Sequence, residues 1–309
     1  MKKPRIGLAL GSGSARGWSH IGVIEALGEA GIVPDIIAGC SIGSLVGAAY
    51  AMGKLTELKA FALSLTWREI AKLMDVRLSS GGLVEGGEVV ALLRSLGISG
   101  AIETARVPYA AVATDLRSGR EQWMREGPIE TAVRASISLP GIFSPAQRDG
   151  HFLVDGGLVN PVPVSAARAL GADVVIAVNL NGDLVGRYGF TPKAGIEAQQ
   201  TSAAGSTPEF ISRLVEGMPA LLKMPAATLL PKLVPQASET PGYFDVLMNS
   251  INIMQDQITR ARMAGEPPHV ALVPRLESVK MLEFNRAAEA IAEGRACVEQ
   301  ALPYIKRYV

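Results

Sequence analysis

Residues 39–43 read Gly39-Cys40-Ser41-Ile42-Gly43, a Gly-x-Ser-x-Gly spacing. A serine between two glycines, on a sharp turn from a strand into a helix, holds its hydroxyl clear of the backbone. There it can attack a carbonyl carbon. The helix that follows sets its positive end beside the negative charge that develops. The plainer reading of Ser41 is a helix cap at an ordinary strand-to-helix turn. A serine nucleophile also needs a base and a set of oxyanion donors, and the chain offers candidates for both.

The donors are expected in Gly11-Ser12-Gly13-Ser14-Ala15-Arg16-Gly17. A glycine-rich turn at a helix N-terminus points several backbone N–H groups into one space, where an oxyanion or a phosphate can sit. With Asp35 further on, the same glycines also approach a dinucleotide fingerprint. The position of Asp35 counts against that reading. The ribose-binding acid closes the second strand, whereas Asp35 comes just before Ile36-Ile37-Ala38 begins.

For the base, none of the three histidines is well placed. His20 follows the glycine loop on the first helix, where it packs or caps. His151 starts a strand beside Gly150, and His269 sits in a late turn after Pro267-Pro268. Asp155, in Asp155-Gly156-Gly157, is the better candidate, since an acid at a strand end followed by two glycines can reach a neighbouring hydroxyl. The competing reading of Asp-Gly-Gly is a turn in which the aspartate bonds its own backbone. Asp115, near Arg117 and Arg120, is a rival carboxylate with a structural role expected. Cys40 should point away from the nucleophile as a packed thiol.

In this order the three motifs resemble those of the patatin-like phospholipases, nearest to bacterial proteins of the neuropathy-target-esterase type. Ser41 answers to the elbow serine and Asp155 to the aspartate of the family's Asp-Gly-Gly/Ala motif. The loop from Gly11 to Gly17 answers to its glycine-rich motif ending in Arg-Gly. The resemblance runs from about Ile6 to Asn181 and takes in His20, Ala113-Thr114-Asp115 and Ser138-Leu139-Pro140-Gly141-Ile142-Phe143. It implies a Ser41–Asp155 dyad in place of a triad, with Gly39, Gly43, Gly156 and Gly157 in support. It implies oxyanion donors among Gly11, Gly13, Ser14, Ala15 and Arg16, Gly13 and Ser14 foremost, with Arg16 holding the loop or meeting a polar head. Ser12 and Ser14 stand where the family carries glycine, so a positive φ at either is strained. The activity implied is two-step hydrolysis of fatty-acyl esters of phospholipids or lysophospholipids. Burial that raises the Asp155 pKa would help it act as the base.

These residues must be positioned by a β–turn–α–β–turn–α arrangement, which calls for parallel strands and crossovers. Strands are expected at Arg5–Leu10, Ile36–Ala38, Pro108–Thr114, Glu121–Met124, Phe152–Val154, Asp173–Leu180 and Val270–Val273. Helices are expected at Trp18–Ala30, Ser44–Met52, Leu55–Met74, Glu88–Leu96, Pro128–Ser138, Val164–Leu170, Phe244–Ala264 and Met281–Ile305, with a glycine-rich loop at Ser79–Gly87. The expected fold is one three-layer α/β/α domain over residues 1–309, with a mostly parallel sheet. Its core spans about 6–181, a Pro-rich cap or lid about 182–241, and a C-terminal helix-strand-helix unit 242–309. Within the cap, the apolar, Lys-spotted stretch Phe210–Leu233 is a candidate for lipid contact.

Composition limits the alternatives. The 309 residues carry 30 Lys plus Arg against 29 Asp plus Glu, a net charge of +1 that leaves no nucleic-acid footprint. Hydrophobic residues at 48% rule out general disorder. Two distant cysteines make neither a disulfide framework nor a zinc site, so no metal or other cofactor is expected. The basic start Lys2-Lys3-Pro4-Arg5 leads into too short an apolar run for a signal peptide. Ile36–Gly53 is uncharged, but four glycines make it a buried strand, turn and helix rather than a membrane span. The expected setting is cytoplasmic, peripheral at the inner membrane surface at most. The expected partner is a lipid or lysophospholipid substrate, reached by transient membrane-surface contact; the oligomeric state is open. Two competing expectations are an idle family member that binds lipid or protein, and a dinucleotide-binding protein.

Overall fold

Ile6–Leu10 (β1) is apolar and buried at every position, as a strand covered on both faces must be. The computed structural model describes residues 3–66, 68–70, 86–184 and 243–309, and the statements below concern those. After β1 come a 3₁₀ turn at Ser14–Trp18, α1 (Ser19–Glu29), β2 (Ile36–Cys40), α2 (Ile42–Ala51) and α3 (Leu55–Ser64). Then follow α4 (Gly87–Ser95), β3 (Tyr109–Asp115), β4 (Glu121–Met124), α5 (Ile129–Ser136), β5 (Ala146–Arg148) and β6 (His151–Asp155). The order ends with α6 (Val164–Ala169), β7 (Val174–Val178), α7 (Tyr243–Gly265), β8 (Val270–Leu272) and α8 (Ala287–Ile305).

These strands form one mixed sheet in the order β5-β6-β3-β2-β1-β7-β8, with β4 also on β3. The β2-β1-β7-β8 portion and the β2–β3 pair are parallel, while β4 and β6 run antiparallel to β3. Side chains alternate between faces along each strand. Leu8, Leu10, Ile37, Tyr109 and Val178 join α1, α2, α5 and α8 in the larger core. On the opposite face the smaller Ala9, Ala38, Val175 and Ala177 pack against α6. The result is the expected three-layer α/β/α fold. α1 and α8 meet backbone to backbone: a Cβ on Gly22 would lie 1.9 Å from Ile291 O, and one on Gly294 would lie 2.0 Å from Ser19 O.

The junction that builds the site lies on β3. Its backbone groups alternate edges. Asp115 N–H donates to Arg120 O on the β4 side, whereas Leu116 N–H donates to Phe152 O of β6 and Pro108 O accepts from Ile37 N–H of β2. β2 and β6 therefore lie end to end along one edge of β3. Cys40 stands opposite Val112 and Asp155 opposite Ala113, so the last residues of the two strands meet at consecutive positions.

Several expected boundaries move. The helix expected over Leu55–Met74 ends at Ser64, and Leu65 is extended. Thr66 then opens a new helical turn through a capping box: Glu69 Oε2 accepts from Thr66 N–H at 2.7 Å and from Thr66 Oγ at 2.8 Å. The C-terminal helix begins at Ala287 rather than Met281, after a 3₁₀ turn at Phe284–Arg286. Strand β5 answers to no expectation. The cap expected over 182–241 lies outside the described residues from 185 on, as do the Phe210–Leu233 stretch and residues 79–85 of the glycine-rich loop. Among the described residues no helix is long and apolar enough to cross a membrane. No group of three or more His, Cys, Asp or Glu among them is placed to hold a metal ion.

Candidate active site

Ser41 links β2 to α2 with φ 54° and ψ −126°, a left-handed conformation that costs a non-glycine residue about 1–3 kcal/mol. Its neighbours leave no room for another path. A Cβ on Gly39 would lie 2.4 Å from Gly43 O, and one on Gly43 would lie 2.2 Å from Leu10 O. The strained turn is secured by Ser136, at the end of α5. Its hydroxyl accepts the Ser41 N–H at 2.9 Å and donates to Val112 O at 2.6 Å. Val112 O sits on the edge of β3 where β2 has ended, so Ser136 fills the break between the two strands.

Across that break Ser41 Oγ donates to Asp155 Oδ2 at 2.6 Å. Asp155 is fully buried, with its N–H on Ser138 O at 3.0 Å and its carbonyl accepting from Thr114 Oγ1 at 2.8 Å. Its Oδ1 accepts the Gly157 N–H at 2.7 Å, so the turn role and contact with the serine coexist. Burial raises the Asp155 pKa from 3.8 to about 6 against the opposing pull of the two hydrogen bonds. At neutral pH it is ionised yet more basic than an ordinary carboxylate. Gly156 permits close approach to β3, since a Cβ there would lie 2.3 Å from Val112 O.

The loop expected to hold the donors is tied down on one side. Gly11 N–H goes to Val178 O, Ser12 N–H to Pro161 O, Ala15 N–H to Met281 O and Arg16 N–H to Gly13 O. Of the expected set, Gly11, Ala15 and Arg16 therefore have their amides engaged. Those of Gly13 and Ser14 have no acceptor among the described residues, and both residues line the same cavity as Ser41. Ser14 carries the positive φ, 53°, that its side chain makes costly, whereas Ser12 does not.

Arg16 meets no open space where a polar head could reach it. Fully buried, it bonds Gly13 O, Asn181 Oδ1 at 3.2 Å and Asn252 Oδ1 at 2.9 Å, holding the loop to α7. His20 is buried, and its Nε2 lies 2.8 Å from Gly11 O; as a carbonyl only accepts, Nε2 carries the hydrogen. Burial lowers its pKa to about 4, which keeps the ring neutral.

The remaining candidates stand apart from Ser41. Asp115 accepts from Ser118 N and Oγ at 2.7 Å and meets His151 Nδ1 at 2.6 Å, and these contacts, Ser118 foremost, lower its pKa to about 2. His269 accepts from Val175 N–H beside β8. Asp35 Oδ2 accepts the Ile6 N–H at the start of β1, the end of the strand away from the glycine loop, which removes its part in a dinucleotide fingerprint. Cys40 is buried against Gly156, and burial foremost pushes its thiol well above the ordinary range.

One cavity opens on Ser41. Beyond the serine, the 12–14 loop and Gln255 its walls are apolar, with Leu58, Phe61 and Leu65 from α3 and the turn after it and Val89, Leu93 and Leu96 from the α4 region. Its volume of about 140 Å³ is some ten times the ~10–15 Å³ that one water needs. Two residues that sequence reasoning missed belong here. Ser136 lies 95 positions from the serine it supports. Gln255, on α7, lines the cavity from the C-terminal part of the chain.

A family model described as patatin-like phospholipase matches residues 8–168. An uncharacterized NTE family protein of Mycobacterium tuberculosis (strain H37Rv) is 36% identical over 341 residues, covering 97% of this chain and 91% of its own. Patatin-like phospholipase domain-containing protein 6 of Homo sapiens is 36% identical over 182 residues, 57% of this chain and 13% of its own. A patatin-like phospholipase domain-containing protein of Caenorhabditis elegans is 39% identical over 184 residues, again 57% and 13%.

Proposed function

The chain belongs to the patatin-like phospholipase family, and from that premise we propose a serine hydrolase that cleaves fatty-acyl esters of phospholipids or lysophospholipids. Family membership supports lipid acyl hydrolysis in general. The observation that carries the finer reading is the 2.6 Å hydrogen bond from Ser41 Oγ to the buried Asp155 carboxylate.

In this account Asp155 takes the Ser41 proton as Oγ bonds to the ester carbonyl carbon, and the carbonyl electron pair moves onto its oxygen. The Gly13 and Ser14 N–H groups and the positive end of α2 face that oxyanion. The oxyanion then collapses, the C–O bond to the alcohol breaks, and the alcohol leaves with the proton from Asp155. Water repeats the sequence on the acyl-serine, giving Asp155 its proton and releasing fatty acid and free Ser41. The apolar cavity between α3 and α4 receives the acyl chain. The substrate would be met at a membrane surface from the cytoplasm, through transient contact.

The test is fatty-acid release from a lysophospholipid and a diacyl phospholipid by the full chain, by Ser41→Ala and by Asp155→Asn. The account expects release by the full chain, none above background by Ser41→Ala, and a loss of about a hundredfold or more in Asp155→Asn. Equal release by all three would overturn it.

A further inference from the structure

Arg16, Asn181 and Gln255 form a chain of hydrogen bonds whose direction is fixed at one end. A guanidinium only donates. Arg16 Nη2 therefore requires the oxygen of the Asn181 amide, at 3.2 Å. Asn181 is left to present Nδ2, which donates to Gln255 Oε1 at 2.9 Å. Gln255 is thereby turned so that its own Nε2 faces away from the chain, and the residue lines the cavity that Ser41 also lines. The residue is 2% exposed, and its Nε2 has no acceptor among the described residues. That N–H group is left open to an acceptor that is not part of the described protein.

What that acceptor is follows from where the donor lies. A Cβ built on Gly157 would stand 2.3 Å from Gln255 Nε2 and 2.9 Å from Asp155 Oδ1, so the amide neighbours the carboxylate on the side of the oxygen that accepts the Gly157 N–H, the other oxygen holding Ser41. In acyl transfer one substrate oxygen must come to the carboxylate, because the proton taken from the serine has to be handed on there. With the acyl chain among the apolar walls and the carbonyl oxygen at Gly13 and Ser14, the alcohol side of the ester is what remains beside Asp155.

We infer that Gln255 contacts the substrate on its alcohol side, its Nε2 donating to the oxygen that exchanges a proton with Asp155. In acylation that oxygen belongs to the departing alcohol, and in deacylation to the attacking water. The inference rests on the hydrolase reading above and adds to it a residue on α7, outside the 8–168 stretch matched by the family model.

The test compares kcat/KM for monooctanoyl glycerol with that for 4-nitrophenyl octanoate, in the full chain and in Gln255→Met and Gln255→Glu. Nitrophenolate leaves without being protonated, whereas a glycerol oxygen does not. The ratio of the two constants does not depend on how much of a variant is folded, and kcat/KM reports acylation alone for both esters. Gln255→Glu keeps the oxygen that Asn181 needs. The glycerol-to-nitrophenyl ratio is expected to fall about ten- to a hundredfold in both variants. Ratios within twofold of the full chain's in both would overturn the inference and leave the hydrolase reading intact. A full chain that cleaves neither ester would overturn both.

Discussion

Ser136 Oγ accepts the backbone N–H of Ser41 at 2.9 Å while giving its own proton to Val112 O at 2.6 Å. One hydroxyl thus repairs the edge of β3 where β2 stops and fixes the strained turn that carries the proposed nucleophile. Ser136→Ala leaves a buried N–H and a buried C=O without partners, and should cost about 1–3 kcal/mol in urea-induced unfolding. Ester turnover should fall further than the folded fraction does, because the turn loses its anchor. Unchanged turnover at reduced stability would separate the elbow from Ser136.

The Asp155 pKa of about 6 sets the pH profile. As a base it acts in its ionised form, so kcat/KM should rise through about pH 6 and level off above it. Stability moves the other way. A carboxyl whose folded pKa lies above its unfolded 3.8 favours the native state fully below that value, and the contribution is lost as pH rises through about 6. Asp155→Asn should therefore be more stable than the full chain at pH 8, by on the order of 3 kcal/mol. The difference should vanish below about pH 4, as read by unfolding at each pH. A flat difference would mean that burial does not perturb the group.

Backbone strain at Ser41 can be isolated by comparing two substitutions that both remove the hydroxyl. Ser41→Ala keeps a Cβ at φ 54°, whereas Ser41→Gly relieves it. Relief of about 1–3 kcal/mol outweighs the ~0.5–1 kcal/mol entropic cost of glycine. Ser41→Gly should thus melt at or above Ser41→Ala, although glycine is the weaker choice at an ordinary site.

Two glycines should respond oppositely to the same change. A methyl on Gly43 would meet Leu10 O at 2.2 Å, backbone against backbone, so Gly43→Ala should lose several kcal/mol and all ester turnover. Gly28, near the end of α1, has nothing within 4 Å of its would-be Cβ. Gly28→Ala should stabilise by about 0.5–1 kcal/mol with turnover kept. Thermal melting of both decides the point.

If the α3–α4 cavity receives the acyl chain, narrowing it should shorten the preferred substrate. Leu93→Phe adds bulk to a fully buried wall position, at a cost of about 1–3 kcal/mol. The optimum in a chain-length series of nitrophenyl esters should move to shorter acids. An unmoved optimum would place the chain elsewhere.

The strands, the elbow and the Asp-Gly-Gly turn were legible in the sequence because each is written locally. β-branched and apolar runs mark strands, and Gly39 and Gly43 mark a turn that admits no Cβ. The turn bond and the reach to a neighbouring hydroxyl, the two expectations for the Asp155 side chain, coexist because its two oxygens serve different donors. The glycine-rich loop was legible only as a set of candidate amides. Which amides stay open depends on Val178, Pro161 and Met281, whose approach no local pattern encodes. Ser136 and Gln255 escaped for the same reason, since ordinary polar residues on helices gain their roles from the sheet junction and from Arg16. The break after Ser64 is a different failure. Thr66 and Glu69 spell a capping box, and the apolar periodicity around them masked it.

The central claim is that Ser41, activated by Asp155, attacks an acyl or phosphoryl centre. Labelling the full chain with a fluorophosphonate and locating the adduct by peptide mass spectrometry tests it most directly. The account predicts one adduct on Ser41, absent in Ser41→Ala and strongly slowed in Asp155→Asn. An adduct on another residue, or no adduct on folded protein, would contradict it.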